Sequence, residues 1–152
     1  MTRSLILAAA LFCMITPDTL AQEISFPERN KLLNTSSFTL QIEGFKKAEG
    51  EVRVAMFSSE ETYTKDPVHA VVLPVKDNKV IWTVDDLPFG DYAIAVYHDK
   101  NTNGKLDTNF LGIPKEAYGF SNNARGKFGP ASWKDASFAV KAENIEHQIS
   151  IK

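Results

Sequence analysis

The amino-acid sequence predicts an all-β protein, an antiparallel seven-stranded Greek-key sandwich with one long ordered loop. Apolar and polar residues alternate with period two in seven short segments, and this alternation is typical of half-buried β-strands. Helix signals are few, and the long segment 99–135 shows no periodicity. Many short strands with so few helices favour two sheets packed face to face.

Turn residues separate the predicted strands. The alternating apolar positions lie within 38–42, 52–56, 71–75, 80–84, 92–98, 138–140 and 145–151. Pro74 falls inside the third segment, and because proline cannot donate a ladder hydrogen bond we expect an edge strand there. Ser58 followed by Glu61 matches a capping box and predicts a short helix, which the Asp66-Pro67 pair must end.

The composition is that of an ordinary globular chain. The length of 152 residues suits one domain. Of these residues 43% are hydrophobic and 24% are charged, and the formal net charge is −2. A nucleic-acid-binding protein usually carries a basic excess, so we expect no nucleic-acid partner. High apolar content with little net charge also excludes a disordered chain.

The N-terminal residues predict export. Arg3 precedes an apolar run over 5–15, which is too short to span a bilayer. Thr19-Leu20-Ala21 then places small residues before Gln22. This pattern is typical of a secretory signal peptide, residues 1–21, cleaved after Ala21, and the alternative is an apolar anchor that stays attached. We therefore expect a periplasmic or secreted protein.

The mature chain divides into two parts. Residues 22–36 form a polar lead-in, and residues 37–152 form a single β-sandwich domain that contains the loop 99–135. No transmembrane segment is expected in this mature chain. Its stability must come from the apolar core, because Cys13 is the only cysteine and lies in the removed segment.

A turn before the fifth strand carries a structural motif. In Leu87-Pro88-Phe89-Gly90-Asp91-Tyr92, Gly90 is expected to take a positive φ. Tyr92 is expected to pack inward and to bond its hydroxyl back to the turn, as in the tyrosine corner of immunoglobulin-like sandwiches. The Leu-Pro-x-Gly-x-Tyr pattern resembles transthyretin-like (prealbumin-like) domains, so Gly90 and Tyr92 are interpreted as structural residues.

The segment 99–135 is expected to be ordered. Connections longer than about 15 residues are uncommon in compact domains and are usually functional or disordered. This one contains five aromatic residues and five of the eight glycines of the chain. Aromatic anchors combined with flexible glycines predict a loop that folds back onto the sandwich.

The start of this loop has the spacing of a calcium-binding segment. Oxygen-bearing side chains occupy positions 1, 3, 5 and 9, with a glycine at position 6 and a main-chain carbonyl at position 7. These residues are Asp99, Asn101, Asn103, Gly104, Lys105 and Asp107. Phe110 stands where an EF-hand has its bidentate glutamate, and Glu116 is the candidate to return with that carboxylate.

The spacing leaves two interpretations open. Hard oxygen ligands suit Ca²⁺, and the few charges predict weak binding, with a dissociation constant on the order of 10⁻⁴ to 10⁻³ M. The alternative is a turn without a metal, because Asn103-Gly104 is a strong hairpin signal and Asp99 and Asn101 are able to form Asx-turns.

The same part of the chain resembles an exported bacterial family. The resemblance rests on Gly90-Asp91-Tyr92-Ala93-Ile94-Ala95-Val96-Tyr97-His98-Asp99, Asn101, Asn103-Gly104, Leu106-Asp107-Thr108-Asn109, Gly112-Ile113-Pro114-Lys115-Glu116 and Tyr118-Gly119-Phe120-Ser121-Asn122-Asn123. This family is catalogued as a domain of unknown function (number two-one-four-one). The resemblance implies a periplasmic or secreted β-sandwich and no established activity.

A second set of residues indicates ligand binding. Aromatic faces, amides and positive charge of this kind are suited to a sugar, a peptide or an anionic group. The set comprises His98, Tyr118, Phe120, Asn122, Asn123 and Arg125. The alternative is that the aromatic residues close one end of the sandwich and that His98 is a rim histidine bonded to loop backbone.

Three classes of function follow from the sequence. The first is an exported, non-enzymatic binding or envelope-associated module, whose calcium-ordered loop presents a surface to an unknown protein, glycan or small ligand. The second is a purely structural envelope β-sandwich without metal. The third is a hydrolase-type enzyme that uses His98 and Glu116 at the loop mouth, although the sequence has no nucleophile elbow or ordered triad spacing.

Overall fold

The computed structural model describes residues 34–152, so the predicted signal peptide lies outside the described residues. Within these residues the structure has eight strands, one short α-helix and one 3₁₀ helix (Ser121–Asn123). The bounds of the strands and of the α-helix are β1 (Thr35–Glu43), β2 (Glu51–Phe57), β3 (His69–Pro74), β4 (Lys79–Pro88), β5 (Gly90–Asp99), β6 (Tyr118–Phe120), α1 (Trp133–Ala136), β7 (Phe138–Val140) and β8 (Asn144–Ser150). Within 34–152, no helix has the length and apolar character needed to cross a membrane.

The strands form two sheets, which confirms the all-β prediction. The first sheet has the order β4-β1-β8. The second has the order β3-β2-β5-β6, and β7 pairs with the first residues of β5. β3 pairs with β2 and lies at an edge, as Pro74 predicted.

The structure corrects the predicted strand number and direction. There are eight strands rather than seven, because β6 forms inside the segment that was predicted to be loop. The sandwich is also not wholly antiparallel, since β1 and β8 pair in parallel. Parallel neighbours need a long connection, and here the rest of the domain supplies it.

The helix prediction was wrong in position. Residues 59–66 form hydrogen-bonded turns, in which the Ser59 hydroxyl accepts a hydrogen bond from the Thr62 amide at 3.4 Å. Thr64 takes a φ of 61°, which interrupts the helical backbone of this segment. The short helix α1 forms instead after Ser132, whose hydroxyl accepts a hydrogen bond from the Asp135 amide.

The apolar core lies between the two sheets. The inward positions of β1 are Phe38, Leu40 and Ile42, all with 0% exposure. They pack with the inward residues of β2, β5 and β8, such as Val54 and Ile149. Each side chain of this size contributes about 1.5–3 kcal/mol when fully buried, so the alternation read from the sequence accounts for the packing of both sheets.

A second apolar cluster fixes the later half of the long loop. It comprises Phe57, Tyr63, Ala93, Phe120, Ala131 and Ala136. The buried Ser121 hydroxyl accepts a hydrogen bond from the Ile94 amide at 2.8 Å and donates one to the Ala136 carbonyl at 2.5 Å. The loop beyond β6 is therefore held against β5 and is part of the fold.

The tyrosine corner is confirmed. The Tyr92 hydroxyl donates a hydrogen bond to the Pro88 carbonyl at 2.9 Å, and burial raises the pKa of this phenol. The expected positive φ of Gly90 was wrong, because Gly90 already pairs with Val140 as the first residue of β5. The left-handed residue near this turn is Asp86, with a φ of 56°.

Candidate functional site

The candidate site begins with a buried ion pair at the end of β5. Asp99 has 0% exposure, and its Oδ2 accepts a hydrogen bond from Arg53 Nε at 2.8 Å. Arg53 lies on the neighbouring strand β2, where its Nη2 is also 3.3 Å from a carboxylate oxygen of Glu51. Sequence reasoning missed Arg53, because it occupies an ordinary polar position of an alternating strand.

Asp99 also closes the loop that follows it. Its Oδ1 accepts a hydrogen bond from the Asn103 amide at 3.1 Å, and its Oδ2 accepts one from the Gly104 amide at 2.8 Å. Gly104 takes a φ of 81°, which reverses the chain at the predicted position. Burial alone raises the pKa of the Asp99 carboxyl, but the hydrogen bonds from Arg53, Gly104 and Asn103 outweigh burial and lower the pKa below its ordinary value.

This lowered pKa predicts an acid-sensitive loop. A carboxyl whose folded-state pKa is depressed stabilises the fold fully above its unfolded-state pKa, about 3.9 for aspartate. The stabilisation is lost as the pH falls through the folded-state pKa. We expect the difference in unfolding free energy between the wild type and Asp99→Asn to shrink from pH 6 to pH 3, measured by urea denaturation. A difference that stays constant over this range contradicts the assignment.

The two asparagines of the loop point toward Asp107. Asn101 Oδ1 accepts a hydrogen bond from the Asn103 amide at 3.2 Å, and Asn103 Oδ1 accepts one from the Lys105 amide at 2.8 Å. Both side-chain NH₂ groups donate to the Asp107 carboxylate, at 2.8 Å from Asn101 and 3.1 Å from Asn103. Residues 99–107 thus form a closed loop, called the ring below. The side chains at positions 1, 3, 5 and 9 of the predicted segment, namely Asp99, Asn101, Asn103 and Asp107, lie on its inner side.

Glu116 returns to this ring, as the sequence analysis suggested. An isolated bridge between Thr108 and Pro114 folds the chain back. The Glu116 side chain is 7% exposed, and its Oε1 accepts a hydrogen bond from the Lys100 amide at 2.9 Å while its Oε2 accepts one from the Asp107 amide at 3.0 Å. Its carboxylate therefore links the backbone of Lys100, near the start of the ring, to that of Asp107 at its end.

The ring has the donor chemistry of a weak cation site. Asp99 and Asp107 carry charged oxygens. The amide oxygens of Asn101 and Asn103 accept backbone hydrogen bonds from Asn103 and Lys105, so both side chains must turn before their oxygens face a cation. Within residues 34–152, no three His, Cys, Asp or Glu side chains form a group that is able to hold a metal ion. A cation inside the ring would replace the two asparagine NH₂ groups as the partner of Asp107.

His98 lies in the wall beneath the loop. Its ring has 0% exposure and contacts Phe45 edge to face, with centroids 5.1 Å apart. Nε2 lies 2.6 Å from the Glu49 carbonyl, and a carbonyl only accepts, so Nε2 carries a hydrogen. Nδ1 is buried without a hydrogen-bond partner. His98 and Glu116 line one cleft, but both oxygens of Glu116 are occupied by backbone amides.

The other predicted ligand-binding residues make contacts inside the protein. Asn122 donates to the main-chain carbonyls of Asp135 and Ser137, and Asn123 Oδ1 accepts a hydrogen bond from the Ser150 amide. Phe120 is buried in the second apolar cluster. Arg125 donates a hydrogen bond to the Tyr118 carbonyl at 2.9 Å, and its guanidinium lies over the Tyr118 aromatic ring. Tyr118 lines the cleft with His98. The structure thus brings His98, Tyr118 and Glu116 together and leaves the others as contacts that hold the loop on β8 and α1.

The fold and this loop define an all-β domain of two sheets with a folded-back polar loop at one edge. The chain belongs to the family described as "Uncharacterized protein conserved in bacteria (DUF2141)", whose family model matches residues 40–148. The matched residues include most of the apolar core and the whole ring, and they confirm the resemblance predicted from the sequence. The comparison with curated proteins gave no match, and the comparison with solved structures gave none either.

Proposed function

We propose that this protein is an exported, non-enzymatic binding or envelope-associated module whose long loop is ordered by a weak Ca²⁺ site. The observation that supports the proposal best is the convergence of Asp99, Asn101, Asn103 and Asp107 on the interior of one ring. A closed ring of oxygen-bearing side chains on a rigid strand end is a suitable frame for a hard cation.

The ring is expected to bind a cation weakly. Asp99 already accepts three hydrogen bonds, from Arg53, Asn103 and Gly104, so one lone-pair direction of its carboxylate is left for a cation. The Lys105 carbonyl and a rotated Glu116 carboxylate complete the proposed ligand set. The exposed Lys100 and Lys105 side chains oppose a further positive charge, and this repulsion weakens the expected binding.

The finer fold and the location are part of the same proposal. The Tyr92 corner and the two packed sheets support an immunoglobulin-like or transthyretin-like sandwich. The apolar run before Ala21 supports a periplasmic or secreted location. Dissociation constants of about 10⁻⁴ to 10⁻³ M are typical of extracellular calcium modules, and an ordered loop presents its outer face to a protein, a glycan or a small ligand.

Thermal unfolding with and without calcium tests the proposal. A ligand that binds only the folded state stabilises it by RT ln(1 + [L]/Kd), so that 1 mM Ca²⁺ acting on a site of about 0.1 mM contributes about 1.4 kcal/mol. We expect 1 mM Ca²⁺ to raise the Tm of the purified wild-type protein by about 3–6 °C relative to chelator. Mg²⁺ at the same concentration is expected to have a smaller effect, because it requires stricter geometry.

Two variants that each remove one negative charge make the test specific. Asp107→Asn removes the charged ligand of the ring and is expected to abolish the calcium-dependent shift. Asp91→Asn changes an exposed aspartate of β5 and is expected to keep it. An equal Tm of the wild type in calcium and in chelator would contradict the proposal and would favour the structural module, in which internal hydrogen bonds alone order the loop.

A further inference from the structure

A cleft beside the ring is rich in lysine side chains. It has a volume of about 140 Å³ and lies between the ring, the start of β6 and the last residue of the chain. Four of its lining residues are lysines from four separate segments, namely Lys46, Lys100, Lys115 and Lys152. From these lysines and from the buried His98 we infer a site for a small oxyanion that bears a hydroxyl group, of which hydrogen phosphate is the simplest member.

The four ammonium groups are not neutralised by the protein. All four side chains are exposed, and within residues 34–152 none of them lies within 4.0 Å of a carboxylate oxygen. Lys47, next in the chain to Lys46, does form such a pair, with Glu49 at 3.9 Å. Positive charges that line one concave surface raise the local electrostatic potential, and a cleft with four unpaired ammonium groups therefore attracts an anion.

The hydrogen-bond acceptors of Glu116, Tyr118 and Lys152 at this cleft already have backbone partners. Both oxygens of Glu116 accept backbone amides of the ring. The main-chain oxygen of Lys152 accepts a hydrogen bond from the Tyr118 amide at 3.2 Å, and the Tyr118 carbonyl accepts one from the Lys152 amide. The carboxylate of Glu116 keeps its negative charge, but it is the one acidic side chain in the lining against four lysines, so the cleft has an excess of positive charge.

His98 supplies the second, independent observation. It is wholly buried, it lines the cleft, and its Nδ1 has no hydrogen-bond partner. Because Nε2 carries the hydrogen that is donated to Glu49, Nδ1 of the neutral ring offers a lone pair. A buried acceptor without a donor is costly, so a ligand that donates a hydrogen to Nδ1 gains from this contact.

The two observations together select the chemical class. A hydrogen phosphate ion has negative oxygens for the lysines and one hydroxyl for Nδ1 of His98. Sulfate has the same shape and charge but no hydroxyl at neutral pH. Nδ1 of His98 is buried, so contact with the ligand requires movement of the cleft lining.

Titration with phosphate and sulfate tests this inference. Purified wild-type protein is titrated with each salt at pH 7.5, constant ionic strength and excess chelator, so that the result does not depend on calcium. We expect saturable amide shifts at Lys100, Lys115 and Tyr118 with phosphate, a change in the ¹⁵N shift of His98 Nδ1, and weaker binding of sulfate. Absence of saturable phosphate binding would overturn the site, and equally strong sulfate binding would overturn the role of His98.

A pair of double variants checks the role of the lysines. Lys100→Gln/Lys115→Gln is expected to weaken phosphate binding about tenfold. Lys134→Gln/Lys141→Gln removes the same charge from exposed positions away from the cleft and is expected to leave binding unchanged. All four substitutions are on exposed side chains, so the variants are expected to fold. Equal loss in both pairs would show that only the net charge matters and would overturn the site.

Discussion

Replacing Asp99 with alanine is expected to lower the free energy of unfolding by about 3 kcal/mol. The change leaves the Arg53 guanidinium without its buried partner and leaves the amides of Asn103 and Gly104 without acceptors. Arg53 itself is 29% exposed in its side chain, and water therefore recovers part of the loss. Urea denaturation at pH 7 measures the change.

Two controls separate the buried ion pair from general effects of the substitution. Asp91→Ala removes an exposed carboxylate from the same strand and is expected to change stability by less than about 0.5 kcal/mol. The double variant Arg53→Met/Asp99→Ala is expected to recover part of the stability, because it no longer carries a guanidinium that has lost its buried partner. A loss of less than about 1 kcal/mol for Asp99→Ala would contradict the proposed closure of the ring.

Replacing Gly50 with alanine is expected to cost about 3 kcal/mol. Gly50 has a φ of 72°, and an added Cβ would lie 2.7 Å from the Lys100 Cα and still closer to the Asp99 carbonyl oxygen. Backbone atoms cannot move aside as a flexible side chain can, so the variant must shift the end of β5. We expect a lower Tm and altered amide shifts throughout residues 99–107.

Gly112 provides the matched control for this prediction. It has a φ of 77°, but an added Cβ would meet nothing within 4 Å. Gly112→Ala therefore carries the same left-handed backbone penalty of about 1 kcal/mol without the collision. Similar losses for the two variants would contradict the close approach of Gly50 to the loop base.

The strands were predictable because their signal is local. In β1, Phe38, Leu40 and Ile42 alternate with polar residues, and this pattern alone assigns one face to the core. The Tyr92 corner was predictable for the same reason, since the hydroxyl and its acceptor Pro88 lie four residues apart. Each of these features is decided by residues that are close in sequence.

The features that were missed depend on long-range pairing. β6 has only three residues and becomes a strand because it pairs with Ala95–Tyr97 of β5, which no local pattern reveals. The parallel pairing of β1 and β8 is likewise a tertiary property. Gly90 was expected to be left-handed from its turn context, whereas pairing with β7 holds it in an extended strand.

The candidate site was predictable in part. The structure shows Asn101 hydrogen-bonded to Asp107 and Glu116 folded back onto the Asp107 amide; the binding of a cation by these residues stays a prediction. Arg53 was missed, because its role depends on the register between β2 and β5. The four lysines of the cleft were also missed, since they come from segments that are distant in sequence and meet only in the folded chain.

A calcium titration followed by ¹H–¹⁵N correlation spectra of the purified protein tests the cation site most directly. We expect saturable shifts confined to the ring, largest at the Asn103, Gly104 and Lys105 amides, with a dissociation constant on the order of 10⁻⁴ to 10⁻³ M. The same titration of Asp107→Asn is expected to show none of them. Spectra of the wild type that do not change up to 10 mM calcium, well above the expected range, would contradict a cation-ordered loop.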